Sequence, residues 1–223
     1  MQHLPTYKEK IKQYPKNVNM ALLYYPVLMA ADILAYKASS VPVGDDQLPH
    51  LEVSREIARK MNEKYNLDFP EPGQFRTQGY SVPSLVGEGK MSKSIEGSYI
   101  NLTDDLDTIK ERLAGAPTDS GKGEKPPEEG GVANLLKLVE LFEGKDKKEK
   151  YESQYMGEGL RYSELKEELA KAIYEELKPI QERRKVYEKD PSLVDRILDE
   201  GAQKARKVAA GTLLQTKNAM GLI

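Results

Sequence analysis

Apolar positions in the first part of the chain repeat with a helical period. Leu23, Val27, Met29, Ala30, Ile33 and Leu34 recur on an alanine-rich background, and this spacing predicts a largely buried helix from Tyr24 to Tyr36. Val41-Pro42-Val43-Gly44 is then a short β-prone run ended by glycine. From Leu48 to Tyr65 the helical period returns, with Leu51, Ile57, Ala58 and Met61 on one side. Helix, strand, helix is the rhythm of a doubly wound parallel sheet, an α/β architecture whose ligands bind where strand ends meet helix N-termini. Gly44 to Gln47 occupies such a point. Asn66 to Gly89, rich in Pro and Gly, reads as loop with one strand around Ser81 to Val86.

Past residue 100 the pattern turns all-helical. Thr103, Asp104, Asp105 and Asp107 place a cap and negative charge at the start of a helix whose Leu106, Ile109 and Leu113 form one face. Thr118 to Gly131 is glycine, proline and charge, a flexible loop. Three further helices are expected from near Val132, Ser163 and Pro191, the last with Asp190 as cap and Pro191 at its first position. Gly144 to Lys150 reads as solvated loop or helix surface. The expected organisation is an α/β part over residues 1–100 and a helical part over 101–223.

Composition narrows the chemistry. With 34 Lys+Arg against 36 Asp+Glu in 223 residues, no global charge draws the chain to nucleic acid, so any RNA contact must come from a local patch. The absence of cysteine excludes disulfides and thiolate metal sites, and His3 and His50 are too few for a histidine zinc site; neither zinc nor haem is expected. No stretch approaches the ~20 apolar residues of a membrane-spanning helix, and Met1 to Lys12 lacks the form of a secretory signal. No membrane partner is expected, and the location is read as cytoplasmic.

The most specific tract is Lys90-Met91-Ser92-Lys93-Ser94, preceded by Gly87 and Gly89. Two lysines three apart, spaced by small hydroxyl residues and hinged by glycine, suit a mobile loop that closes over a polyphosphate. Charge that builds on a departing pyrophosphate can be followed by mobile ammonium groups into the transition state. Taken alone, a Lys-x-x-Lys pair is ordinarily a basic surface loop.

In full, the tract resembles the second ATP-binding motif of class I aminoacyl-tRNA synthetases. Pro26 to Leu34 and Val41 to Gln47 resemble the tryptophanyl-tRNA synthetases over both stretches, more closely than the related tyrosyl enzymes, which stand as an alternative. The resemblance implies a Rossmann-type catalytic domain, ATP with Mg2+ and L-tryptophan as substrates, tRNA(Trp) as partner, and a homodimer. Lys90 and Lys93 take the catalytic role in it. Gly44, Asp45, Asp46, Gln47, Val82 and Lys90 to Ser94 (Lys90, Met91, Ser92, Lys93, Ser94) are implied to bind ATP, and Ser84 belongs to the same adenine-facing stretch as Val82.

Tryptophan binding falls to Met29, Asp32, Val41 and Val43. Met29 and Asp32, three apart, share a helix face. Indole offers one donor and no acceptor, so a site that discriminates it by its N–H needs an acceptor-only group, which an ionised carboxylate is. Val41 and Val43 alternate on a strand and give flat apolar walls. Without the resemblance, Asp32 would read as an ordinary helix carboxylate and Met29 as core. Asp45 stands where relatives commonly carry Glu, a shorter side chain of the same charge. His50 reads as structural.

Leu177 to Arg183, Asp199 to Ala202 and the close at Ala219 to Leu222 also resemble the family, whose helical region carries the anticodon-binding surface. Arg183, Arg184, Lys185, Lys204, Arg206 and Lys207 are the candidates for phosphate contact; solvated helix surface is the other reading of them. The family's first ATP motif, of His-Ile-Gly-His type, has no counterpart here. The family's portion before about Tyr7 to Lys10 is accordingly expected to be missing, along with the first strands of the sheet, leaving an apolar edge and face exposed. The triphosphate site would lose its opposing half, and catalysis by positioning with it. A non-catalytic fragment or paralogue that binds tRNA, nucleotide or a partner is the rival expectation.

Overall fold

The computed structural model describes residues 19–76, 79 and 81–223, with 7, 8, 11, 12 and 15–17 ahead of them. His3, Glu9 and Lys10 lie outside the described residues. The chain divides into two compact units, Met1–Tyr80 with Ser192–Ile223, and Ser81–Pro191.

In the first unit, α1 (Met20–Ala35) starts earlier than the apolar period predicts, because Asn19 caps it by accepting from Leu22 N at 3.1 Å. Pro26 lies inside the helix and is buried, so the carbonyl of Leu22 has no i+4 amide to accept from. β1 (Ser40–Pro42) leads through a 3-10 turn, Asp45–Gln47, into α2 (Leu48–Tyr65), which occupies the expected residues. α2 ends at Asn66, whose φ of 52° is left-handed, a conformation asparagine tolerates.

The returning chain is tied back by Asn62, whose side chain donates to Phe69 O and accepts from Phe69 N, both at 2.8 Å. It then forms β2 (Gly73–Phe75), parallel to β1 with Val41 opposite Gln74. A parallel pair joined through a helix is the βαβ arrangement expected of the α/β part. Leu34, Ala58, Leu67 and Phe69 form its small core, while Met20, Tyr24, Val27, Leu28 and Phe75 are exposed.

The expected strand at Ser81–Val86 is not one. That segment makes a single antiparallel bridge, Pro83 with Lys90, because Pro83 has no N–H to give a ladder and the glycines that follow turn the chain. The strand belongs instead to Gly73–Phe75.

The second unit is helical: α3 (Leu106–Ala114), α4 (Gly130–Glu143), α5 (Lys145–Met156) and α6 (Tyr162–Lys189). Asp105, of the four candidates, is the α3 cap, accepting from Thr108 N at 2.9 Å. Ile109, Leu113, Leu135, Leu138, Val139, Leu165, Leu169 and Ile173 pack into one core, which Leu85 joins from the loop before the lysine tract. α5 covers the stretch from Lys145 that reads as loop or helix surface. It buries only Tyr151 and Tyr155, and is held otherwise by charge, Lys148 to Glu140 at 2.6 Å and Lys147 to Glu168. α7 (Pro191–Ala219), which starts at the expected Pro191, belongs to the first unit from Ser192 on. There Gln215 meets Lys37 at 3.0 Å and Asp68 at 3.1 Å. Among the described residues, no helix is long and apolar enough to cross a membrane.

Candidate functional site

In the first unit, Gly44 to Gln47 forms the N-terminal approach to α2, where the helix dipole favours negative charge. The turn is organised by polar side chains from three places in the sequence. Gln74 Nε2 donates to Val43 O at 2.9 Å and to Asp45 Oδ1 at 3.0 Å, and Arg76 donates to the same Asp45 oxygen. The Gln74 hydrogen bond, opposed by burial and helped by the Arg76 guanidinium, holds the Asp45 carboxyl below its ordinary range.

On the other side, Gln47 Nε2 donates to Asp46 Oδ2 at 2.8 Å, so its Oε1 is the acceptor left for His50 Nδ1 at 3.1 Å. Nδ1 therefore carries the proton, and Nε2 accepts from the Tyr25 hydroxyl at 2.7 Å. His50 is buried, as its structural reading requires, and fixes the amide that orients Asp46. Met29 is half-buried on α1 and Asp32 exposed; Val41 and Val43 are both half-buried on either side of exposed Pro42.

In the second unit the lysine tract is the tip of a hairpin-like loop. Met91 N donates to Val82 O at 2.9 Å and Ser84 N to Gly89 O at 3.1 Å, which puts Val82 and Lys90 to Ser94 in one substructure. Gly87 and Gly89 have φ of 117° and 84°, a backbone that residues with a Cβ rarely adopt. Met91 packs against the helical core, whereas Lys90, Lys93 and Ser94 are exposed. Ser92 is turned into the loop itself: its N donates to Ser98 Oγ at 3.2 Å, and its Oγ accepts from Ser94 N at 3.3 Å. Ser98 Oγ donates back to Ser92 O at 2.8 Å.

The basic candidates fall into two groups. Arg183, Arg184 and Lys185 are exposed on α6, where Arg184, Lys185, Thr103, Gln181 and Glu188 line a groove of about 220 Å³. Arg184 is paired with Glu188 at 2.6 Å. Lys204, Arg206 and Lys207 are exposed on α7.

The sequence profile of the tRNA synthetases class I (W and Y) matches residues 1–178. This chain belongs to that family. The tryptophan–tRNA ligase of Porphyromonas gingivalis is 40% identical over 228 residues, taking in 99% of this chain and 68% of that protein. That of Halalkalibacterium halodurans is 43% identical over 215 residues, covering 92% of this chain and 63% of that protein. The chain thus spans roughly two thirds of the length of these curated relatives. A crystal structure of the Campylobacter jejuni tryptophanyl-tRNA synthetase complexed with ADP and tryptophan matches 99% of this chain and 68% of its own, with TM-score 0.74 and 31% identity.

Sequence reasoning missed five residues that shape these places: Tyr25, Gln74, Arg76, Ser98 and Asn134. Only Asn134 left a readable signal, a lone amide in the apolar run from Val132 to Leu136.

Proposed function

We propose that this chain is the portion of a tryptophanyl-tRNA synthetase that carries the lysine loop, acting in the cytoplasm on tryptophan, ATP with Mg2+ and tRNA(Trp), as a homodimer. In the reaction, the tryptophan carboxylate attacks the α-phosphorus of ATP. The bond to pyrophosphate breaks, and tryptophanyl-adenylate forms; a hydroxyl of the terminal tRNA ribose then takes the acyl group and AMP leaves. Lys90 and Lys93 neutralise the charge gathering on pyrophosphate. Val82, Met91, Ser92 and Ser94 complete the loop's part in holding ATP, while Gly44, Asp45, Asp46 and Gln47 serve the ribose and adenine side. Asp32 accepts the indole N–H, with Met29, Val41 and Val43 as apolar walls. Residues 1–100 are the catalytic part and 101–223 the tRNA-contacting part, through Arg183, Arg184, Lys185, Lys204, Arg206 and Lys207.

The observation that carries this reading is the complete Lys90 to Ser94 motif, glycine-hinged with both lysines exposed, in a member of the W and Y family. The choice of tryptophan over tyrosine is supported by the ligases that match almost the whole chain. Tryptophan-dependent exchange of pyrophosphate into ATP by the full chain is the deciding test, and exchange above background supports the enzymatic reading. Exchange with tyrosine in place of tryptophan would transfer the reading to the tyrosyl relatives, and no exchange with either would favour a non-catalytic binding role. Asp32→Ala should weaken tryptophan binding by roughly a hundredfold or more in calorimetry, with ATP affinity retained. Unchanged tryptophan affinity in that variant overturns the assignment of Asp32.

A further inference from the structure

Asn134 is a costly residue where it stands. It lies on α4 with 7% of its surface exposed, between Ala133 and Leu135 and beside Val132 and Leu136, all buried. Asparagine is a poorer helix former than the leucines around it, and burying an amide is unfavourable unless its hydrogen-bonding capacity is used. Here it is used outside the helix. Both hydrogens of Nδ2 go to backbone carbonyls of the segment before the lysine tract, Ser84 O at 2.9 Å and Gly87 O.

Those carbonyls belong to the neck of the loop. Gly87 is three residues from Lys90, and the φ values of 117° at Gly87 and 84° at Gly89 mark this as a stretch of chain with wide conformational choice. Other contacts hold the neck from within or below: Ser84 N to Gly89 O, Met91 N to Val82 O, Leu85 N to Ser98 O, and the Leu85 side chain in the helical core. Only the Asn134 amide among these reaches Gly87, and it comes from a helix whose neighbouring side chains are locked in the core.

We propose that Asn134 is a positioning residue for the lysine loop, fixing the root from which Lys90 and Lys93 reach the triphosphate. It acts through Ser84 and Gly87 and touches no substrate. The loop closes about a point set by α4, so the ammonium groups reach the departing pyrophosphate from a reproducible origin. The proposal rests on the triphosphate reading of the loop.

Asn134→Asp tests it with almost no change of volume, since an oxygen then faces two carbonyls and the donor is gone. Asn134→Ser, which keeps one shorter donor, guards against a folding failure of the first variant. Amide hydrogen exchange by NMR should be about tenfold to a hundredfold faster at Leu85, Met91 and Ser92 in Asn134→Asp, with α4 and α6 amides unchanged, and intermediate in Asn134→Ser. Mg-ATP affinity should fall about tenfold, and in pyrophosphate exchange kcat should fall while KM for tryptophan holds. Loop protection and Mg-ATP affinity equal to the unsubstituted chain in either folded variant would overturn the proposal. If the unsubstituted chain binds no Mg-ATP, the triphosphate reading fails by itself. The exchange rates at Leu85, Met91 and Ser92 then still decide whether Asn134 holds the neck.

Discussion

Ser81–Pro191 gathers seventeen buried hydrophobic residues into one cluster, whereas the unit of Met1–Tyr80 and Ser192–Ile223 gathers four, counted among the described residues. The second unit surrounds Leu135, Leu138, Leu165 and Leu169 on all sides. In the first, α1 leaves Met20, Tyr24, Val27 and Leu28 exposed, Leu28 by 67%, and α7 leaves Leu198, Val208, Leu213 and Leu214 exposed. Full burial of such a side chain contributes about 1.5–3 kcal/mol, while an exposed ion pair contributes ~0–1 kcal/mol.

The first unit therefore leans on polar ties such as Asn62 with Phe69, Arg59 with Glu52 and Glu71, and Lys37 with Asp68. The lesson is one of stiffness. The lysine loop is rooted in the firmly packed unit, and the residues proposed for the amino acid and the ribose stand on the softer one.

Three experiments break or sharpen this contrast. Leu138→Ala, at the centre of the second unit's core, should cost about 2–5 kcal/mol in urea unfolding, because the surrounding helices cannot close the cavity. A loss below about 1 kcal/mol would mean that this core is not the source of the firmness. His50→Leu, which removes both ring hydrogen bonds in the first unit, should cost about 1–3 kcal/mol and speed amide exchange in the 45–50 segment. Unchanged stability would show that the polar ties there are dispensable.

The smallest effect is expected at Asp119, a polar tie of the second unit, which accepts from Tyr155 at 2.7 Å, Tyr162 at 2.5 Å and Gly121 N at 2.7 Å. Burial pushes its carboxyl up, but these hydrogen bonds outweigh that and leave it below the ordinary 3.8. Its contribution is therefore present above pH 3.8 and is lost as the pH falls through the lowered value. Solvent screening keeps it under about 1 kcal/mol. Asp119→Asn should flatten the acid slope of thermal stability by that much, and an effect rivalling Leu138→Ala would overturn the contrast.

What could be read in advance follows the physics of each element. α2 was legible because Leu51, Ala58 and Met61 keep a 3.6-residue period between clear ends. Gly73–Phe75 was not, since three residues without alternation carry no strand signal, and the Val82 to Val86 pattern that does was overruled by Pro83 and the glycines. α5 escaped because two tyrosines among charges make a faint stripe. The lysine tract was legible as a contiguous motif. Gln74 and Arg76 meet Asp45 from about thirty residues away, and Asn134 meets Ser84 across fifty, distances that no local pattern encodes.

The row from Tyr25 through His50 and Gln47 to Asp46 works as a one-way street for dipoles. The Asp46 carboxylate, which can only accept, decides which way the Gln47 amide faces, the amide decides which imidazole nitrogen bears hydrogen, and the ring decides that the Tyr25 hydroxyl donates. Asp46→Asn, which offers a donor as well as an acceptor, would let the whole row reverse. The charge at the mouth of α2 thus writes the proton position of a buried ring and the direction of a hydroxyl on another helix.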